Sequence, residues 1–431
     1  MLLVEVSGLS IKYVMPDWDD YLDTGFDFKN DSFSEPVDGA PQRAYLHEIM
    51  GDATPYDGIL VSLNQIEKKK GALKKYGITG AEKSIRQIMR IPDRIKVIGD
   101  CGAFSYKDAE QPEIDPVHAA KLYNDYEFDY GASVDHMVID EITIVNEKGE
   151  KEKHTLSEDE KCQRVKITIE NAKAFIEEVK KKGYKFTPLG SIQARNAKEY
   201  ADVFDQFIQM GYRQVALGSL IPKDDETIRE IITAVGERYR KLDSEIRSEV
   251  GIHLFGILRP ALFGIYKENG VASFDSASYF RKAWLKSDRN YLSAEGKWYA
   301  AIRVPQTELA RNSKALAKSG YDLASVKELE RDVLTSLNSF DEKTDIDHLL
   351  NKLIKYDSYF ERTSDGGEKL REAYRKVLTD RPWEKCSCSI CKSIGIHVLV
   401  FRGYNRNKRR GFHNTYVFYH SYNGGVAYEH K

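Results

Sequence analysis

No stretch of this chain approaches the roughly 18 consecutive apolar residues of a membrane-crossing helix. Its first residues, MLLVEVSGLSIKYV, lack the charged start and small-residue cleavage site of a secretory leader. The expectation is a cytoplasmic protein that does not enter a membrane. Charge of one sign is also missing: 65 Lys and Arg against 67 Asp and Glu leave a formal net charge of −2 over 431 residues. This balance weakens the reading of a protein that coats nucleic acid through overall charge, and any affinity for phosphates has to come from local basic patches. Cysteine is scarce, five in all, and unevenly placed. Cys101 and Cys162 stand alone, whereas Cys386, Cys388 and Cys391 fall within six residues. Neighbouring cysteines on a tight turn reach disulfide geometry poorly; the crowding suits a metal knuckle in a reducing compartment. There is no internal repeat or low-complexity tract.

What is present, up to about residue 280, is an alternation of short apolar runs with amphipathic helical patterns. Eight runs read as strands, at 2–8, 56–63, 94–99, 134–140, 186–192, 213–218, 251–256 and 271–275. Between them lie segments such as VKITIENAKAFIEEVKKK and NAKEYADVFDQFIQM, with apolar residues recurring every three or four positions. Strand–helix alternation implies a parallel sheet with crossover helices. Eight units suggest an α/β protein built as a (β/α)8 TIM barrel, with an open doubly wound sheet as the alternative that pattern alone leaves standing. Two stretches interrupt the rhythm: 141–156 reads as a polar hairpin, and 284–380 is charged and helical. The acidic, aromatic segment from Asp17 to Gln42 reads as loops around the barrel. The expected organisation is a catalytic barrel over 1–283, a helical insertion over 284–380 and a metal-binding subdomain over 381–431 packed on the barrel.

Barrel enzymes draw their chemistry from the carboxyl ends of strands and the loops that follow. The polar residues falling there are Asp100 in GDCGAF, Asp140 in MVIDE, Gln193 in GSIQA, Gly218 and Ser219 in ALGSL, and Asp275 in SFDSA. Three acids and an amide at one barrel end suit glycosyl chemistry. One carboxylate can attack a sugar carbon, a second can shuttle a proton to and from the departing base, and the rest can read a purine edge. Each aspartate also has a plainer reading as a helix N-cap, and Gly102 and Gly218 as turn glycines.

The tail reads CSCSIC, with 21 residues between Cys391 and His413 of RGFHN. Cys386, Cys388, Cys391 and His413 make a closed Cys3His set for a structural Zn2+, although His397 and His420 also lie nearby. Between thiols and histidine, five of the nine residues from Arg402 to Arg410 are basic: Arg402, Arg406, Lys408, Arg409 and Arg410. Interleaved with Tyr404 and flanked by Phe401 and Phe412, they read as a nucleic-acid-binding loop, or as a solvated basic loop.

Taken in order, GDCGAF, MVIDE, SIQA, ALGSL, HLFG, SFDS and CSCSIC…HN resemble the tRNA-guanine transglycosylase superfamily, over about residues 94–280 and 384–420. The resemblance implies exchange of guanine in a polynucleotide for a 7-deazaguanine by double displacement at the sugar. It makes Asp275 the nucleophile and Asp100 the general acid/base. It places Asp140, Gln193, Gly218, Ser219 and Leu220 on the edge of the base, Phe104 and Phe255 on its two faces, and the Cys3His set on zinc. GDCGAF departs from the usual DSGGFQ, ALGSL has a serine where the tRNA enzymes have a second glycine, and the zinc loop is unusually basic. These departures resemble the branch that inserts 7-deazaguanines into DNA in bacteria and phages, within phage defence and restriction–modification. The implied partners are DNA and a free 7-deazaguanine base, the 7-cyano form expected, with room for a helper ATPase that opens the duplex. The alternatives are a tRNA enzyme and a non-catalytic nucleic-acid-binding subunit; the latter has no need of both Asp100 and Asp275.

Overall fold

The computed structural model describes residues 11–17, 21–37, 42–66, 84–145, 149–285, 288–361 and 365–423. The chain divides into two compact units, residues 1–18 with 56–277 and residues 19–55 with 278–431. The sequence reading had three consecutive blocks instead.

The first unit is a closed barrel of eight parallel strands: β1 Lys12–Pro16, β2 Gly58–Ser62, β3 Lys96–Asp100, β4 Tyr130–Ala132, β5 Thr187–Ile192, β6 Gln214–Leu217, β7 Gly251–Leu254 and β8 Val271–Asp275. Each strand pairs with its sequence neighbour, and β1 closes the ring by pairing with both β2 and β8. The interior is a packed layer of Val14, Ile98, Tyr130, Ala132, Leu189 and Ala216, with Leu60, Phe255 and Ala272 against it. On the outside, one aromatic ring sets the spacing of two strands. A Cβ on Gly99 would lie 2.1 Å from Tyr123, and one on Gly131 2.4 Å from it, so Tyr123 seats flat only because both residues are glycine.

The crossover helices carry their own start and stop signals. Ser157 caps Glu158–Lys182 in a capping box with Glu160, and three acidic residues open the helix. Three lysines close it before Gly183, whose φ of 63° ends the run. Asn196 and Asp224 cap Ala197–Met210 and Asp225–Lys241 by accepting from the Glu199 and Thr227 amides.

Two strand boundaries differ from expectation. The run 2–8 lies outside the described residues, and the first barrel strand is Lys12–Pro16. The fourth is Tyr130–Ala132, not 134–140, which runs as irregular chain into the hairpin Glu141–Val145/Lys151–Thr155. Register explains the shift: Ile98 pairs with Tyr130 and Gly99 with Gly131, so the level of Asp100 is reached at Ala132.

In the second unit, helices Ala310–Lys318, Leu323–Asn338, Ile346–Asp357 and Glu368–Asp380 precede the cysteine-bearing turn, and Gly403–Asn423 forms a 21-residue helix. Ile302–Arg303 pairs in parallel with Val400–Phe401, and Leu22–Asp23 pairs with Arg43–Ala44.

Candidate active site and metal centre

Parallel closure puts all eight strand ends on one rim. Asp100 ends β3, Gln193 follows β5, Gly218 and Ser219 follow β6, Phe255 and Gly256 follow β7, and Asp275 ends β8. Asp275 is buried, and its Oδ1 accepts from the Gly256 amide at 2.9 Å and bonds His253 Nε2 at 3.1 Å. Asp100 is partly buried and bonded by the Ser62 hydroxyl and the Gly102 amide. Burial first, then the Asp135 and Asp275 carboxylates, push its carboxyl up to about 7.

Asp135 is the residue that the sequence reading missed. It is buried three positions past β4; Gln193 Nε2 donates to its Oδ2 at 2.5 Å and the Cys101 thiol to its Oδ1 at 3.1 Å. Burial raises the Asp135 carboxyl, and burial beside Asp135 and Asp100 raises the Cys101 thiol, so Cys101 stays a protonated donor. Tyr106 ties this corner down by donating to the Asp135 carbonyl at 3.0 Å.

Asp140 is not in this cluster. Its side chain is 84% exposed and pairs with Lys161 at 2.8 Å, because the chain has by then run eight residues beyond the Ala132 level. The detectable signal was the pair of glycines, Gly99 and Gly131, which fixes the register of β3 and β4 and so points to Asp135.

Gln193 Oε1 is buried and has no hydrogen-bond partner among the described residues. An orphaned buried acceptor costs about 1–3 kcal/mol, which a ligand N–H at this position would recover. Gly218 lies under the same amide, where a Cβ would come 2.2 Å from Gln193 Nε2. Ser219 has a φ of 52°, a conformation that favours glycine, and its hydroxyl accepts from the Val138 amide at 3.1 Å. The serine thus holds the chain after β4 in place. Leu220 is fully buried beside it. The Phe255 ring meets His253 edge-on at 5.0 Å, while Phe104 is 70% exposed.

The arrangement can run two-carboxylate chemistry. Asp275 is held at one oxygen, and no hydrogen bond among the described residues reaches the other. Asp100, near 7, can both give and take a proton at neutral pH.

In the second unit, Cys386, Cys388, Cys391 and His413 are buried with their ligand atoms within 4.8 Å of one another, a set that could hold a metal ion. His413 Nδ1 faces the three sulfurs at 3.3–3.6 Å, and its Nε2 bonds the Leu292 carbonyl at 2.7 Å. That carbonyl fixes the tautomer with Nδ1 unprotonated, as a ligand requires. Three soft sulfurs with one imidazole fit a tetrahedral ion.

The basic residues read as a nucleic-acid-binding loop sit on the helix Gly403–Asn423 or just before it, and four are buried. Arg402 pairs with Asp31 at 2.5 Å and Glu330 at 2.7 Å. Arg406 pairs with Asp31 and donates to the Phe28 carbonyl. Arg409 donates to the Asp23 carbonyl at 2.6 Å, and Arg410 to the Ala283, Val398 and Val400 carbonyls. Lys408, half-buried, donates to the Tyr21 carbonyl at 3.1 Å. These cations hold chain segments together. Among the described residues no helix is long and apolar enough to cross a membrane.

No protein-family model matches the chain. It is 32% identical over 418 residues, 95% of its own length and 96% of the relative's, to a DNA-guanine transglycosylase of Salmonella montevideo.

Proposed function

Since the chain belongs to the family of DNA-guanine transglycosylases, and so is a glycosyl-transferring enzyme, we propose that it exchanges guanine in DNA for a 7-deazaguanine base, the 7-cyano form. The target guanine leaves the stack and enters the barrel mouth, since its glycosidic carbon is out of reach inside a duplex. Asp275 attacks that carbon, the bond to the base breaks with its electron pair going to guanine, and the Asp100 proton neutralises the leaving base. The incoming base then gives its ring proton to Asp100 and displaces Asp275. Two inversions give net retention.

Asp135 and Gln193 read the edge of the base, with Gly218, Ser219 and Leu220 completing the wall and Phe255 against the ring. Phe104 closes over the other face once a base is seated. Asp140 has no part in this reading. Cys386, Cys388, Cys391 and His413 hold Zn2+ as a structural ion, which ties the turn at 386–391 to the final helix and supplies no step of the exchange.

The observation that carries the proposal is the pair of rim carboxylates with different environments. Asp275 is anchored by two donors, and Asp100 is poised near 7 by burial beside Asp135. Mixing the protein with guanine-containing DNA and no incoming base should give a covalent protein–DNA adduct on a denaturing gel, lost in Asp275→Asn. An adduct that survives Asp275→Asn removes the nucleophile assignment.

A further inference from the structure

His253 is a buried histidine at the centre of the site, and neither the strand-end reading nor the two-carboxylate scheme uses it. It lies on β7 with no solvent exposure, flanked on β8 by Ser273, also fully buried. Its Nδ1 lies 2.7 Å from Ser273 Oγ and its Nε2 3.1 Å from Asp275 Oδ1. A carboxylate oxygen can only accept, so Nε2 carries a proton, and in the neutral ring Nδ1 accepts from the Ser273 hydroxyl. The second donor to Oδ1 is the Gly256 amide at 2.9 Å. Both donors reach the same oxygen.

We propose that His253 is a positioning residue that selects Oδ2 of Asp275 as the attacking atom, with Ser273 fixing the imidazole tautomer. The proposal rests on Asp275 being the nucleophile. Two donors on Oδ1 hold the carboxylate plane and leave Oδ2 with its lone pairs free. Oδ2 bonds to the sugar carbon as the carbon–base bond breaks, and its negative charge is consumed in that bond. Oδ1 becomes the carbonyl oxygen of the ester, still held by Nε2–H and the Gly256 amide. No proton moves through the imidazole in this step. The same ring meets Phe255 edge-on at 5.0 Å and 75°, so one side chain sets both the nucleophile and the aromatic face beside it.

The test uses substitutions that keep one ring nitrogen at a time. Glutamine places its amide nitrogen near the site of Nε2, and asparagine places its amide near Nδ1. The rate of adduct formation on guanine-containing DNA is measured with KM, the thermal midpoint being recorded for each variant. The expected result is adduct formation slowed tenfold or more in His253→Ala and His253→Asn, recovered to within a few-fold in His253→Gln, with KM unchanged. Ser273→Ala, which removes a single oxygen, should also slow the adduct with KM unchanged. Equal rates in the Asn and Gln variants, or an unslowed His253→Ala, overturn the proposal, since a merely structural histidine would not distinguish the two amides. If the unsubstituted protein forms its adduct only with guanine-containing RNA, the DNA reading fails, and the same variant series measured on RNA decides for or against His253.

Discussion

Gln193 and Asp135 meet through a 2.5 Å hydrogen bond inside the barrel mouth, the amide nitrogen donating and the carboxylate accepting. The bond leaves Gln193 Oε1 as a buried acceptor with no partner among the described residues. An amide acceptor beside a carboxylate presents two adjacent acceptors, the complement of the N–H groups along a guanine edge.

It follows that Asp135→Asn should lower base exchange by about tenfold to a hundredfold, the range for losing one good pairing to a base. Asp140→Asn should leave it within twofold, since that side chain is 84% exposed. Steady-state exchange rates of the two variants check this, and a reversed order would return the edge-reading role to Asp140.

The raised Asp100 carboxyl has a thermodynamic consequence. Unfolded, it ionises near 3.8; folded, near 7. Between those values the folded state binds more protons, so this group's contribution to stability falls as pH rises through that window. Asp100→Asn should therefore raise the thermal midpoint by roughly a few degrees at pH 8 and by much less at pH 5, while abolishing exchange. A gain that is the same at both pH values would contradict the assignment.

The metal set gives a separate expectation. Cys388→Ala should lose metal and stability together, and chelation of the unsubstituted protein should lower its midpoint in the same way. Metal analysis beside thermal unfolding checks both, and full metal content in the variant would count against the centre.

For the buried cations, stability is the property to follow. Arg406→Ala leaves Asp31 short of a partner in a largely buried network, which costs about 3–5 kcal/mol when one member is removed. The midpoint should drop, and the slope of DNA affinity against log salt should stay unchanged. A stable variant with a shallower slope would restore the phosphate-binding reading of this segment.

Much of the barrel was legible because buried parallel strands read as apolar runs and their crossover helices have period and caps. Asp100, Gln193, Gly218, Ser219 and Asp275 follow directly, since each stands within two residues of a strand end. β4 was misread for a physical reason. It is three residues, Tyr130–Ala132, and the longer apolar run after it is irregular chain pinned by Ser219 and Tyr106. That displacement hid Asp135. His253 was invisible for another reason: one histidine inside a buried strand gives no sign of what faces it across the sheet. The basic stretch from Arg402 to Arg410 shows the limit of charge counting, because its acidic partners, Glu330 and Asp31, come from segments some 70 to nearly 400 positions away.

Base exchange in DNA through Asp275 is open to direct test. The most direct measurement offers labelled 7-cyano-7-deazaguanine with DNA and with tRNA separately, followed by digestion and mass spectrometry of the nucleosides. Modified deoxynucleoside, absent in Asp275→Asn, is the expected result. Modified ribonucleoside alone, or deoxynucleoside still formed by Asp275→Asn, would contradict it.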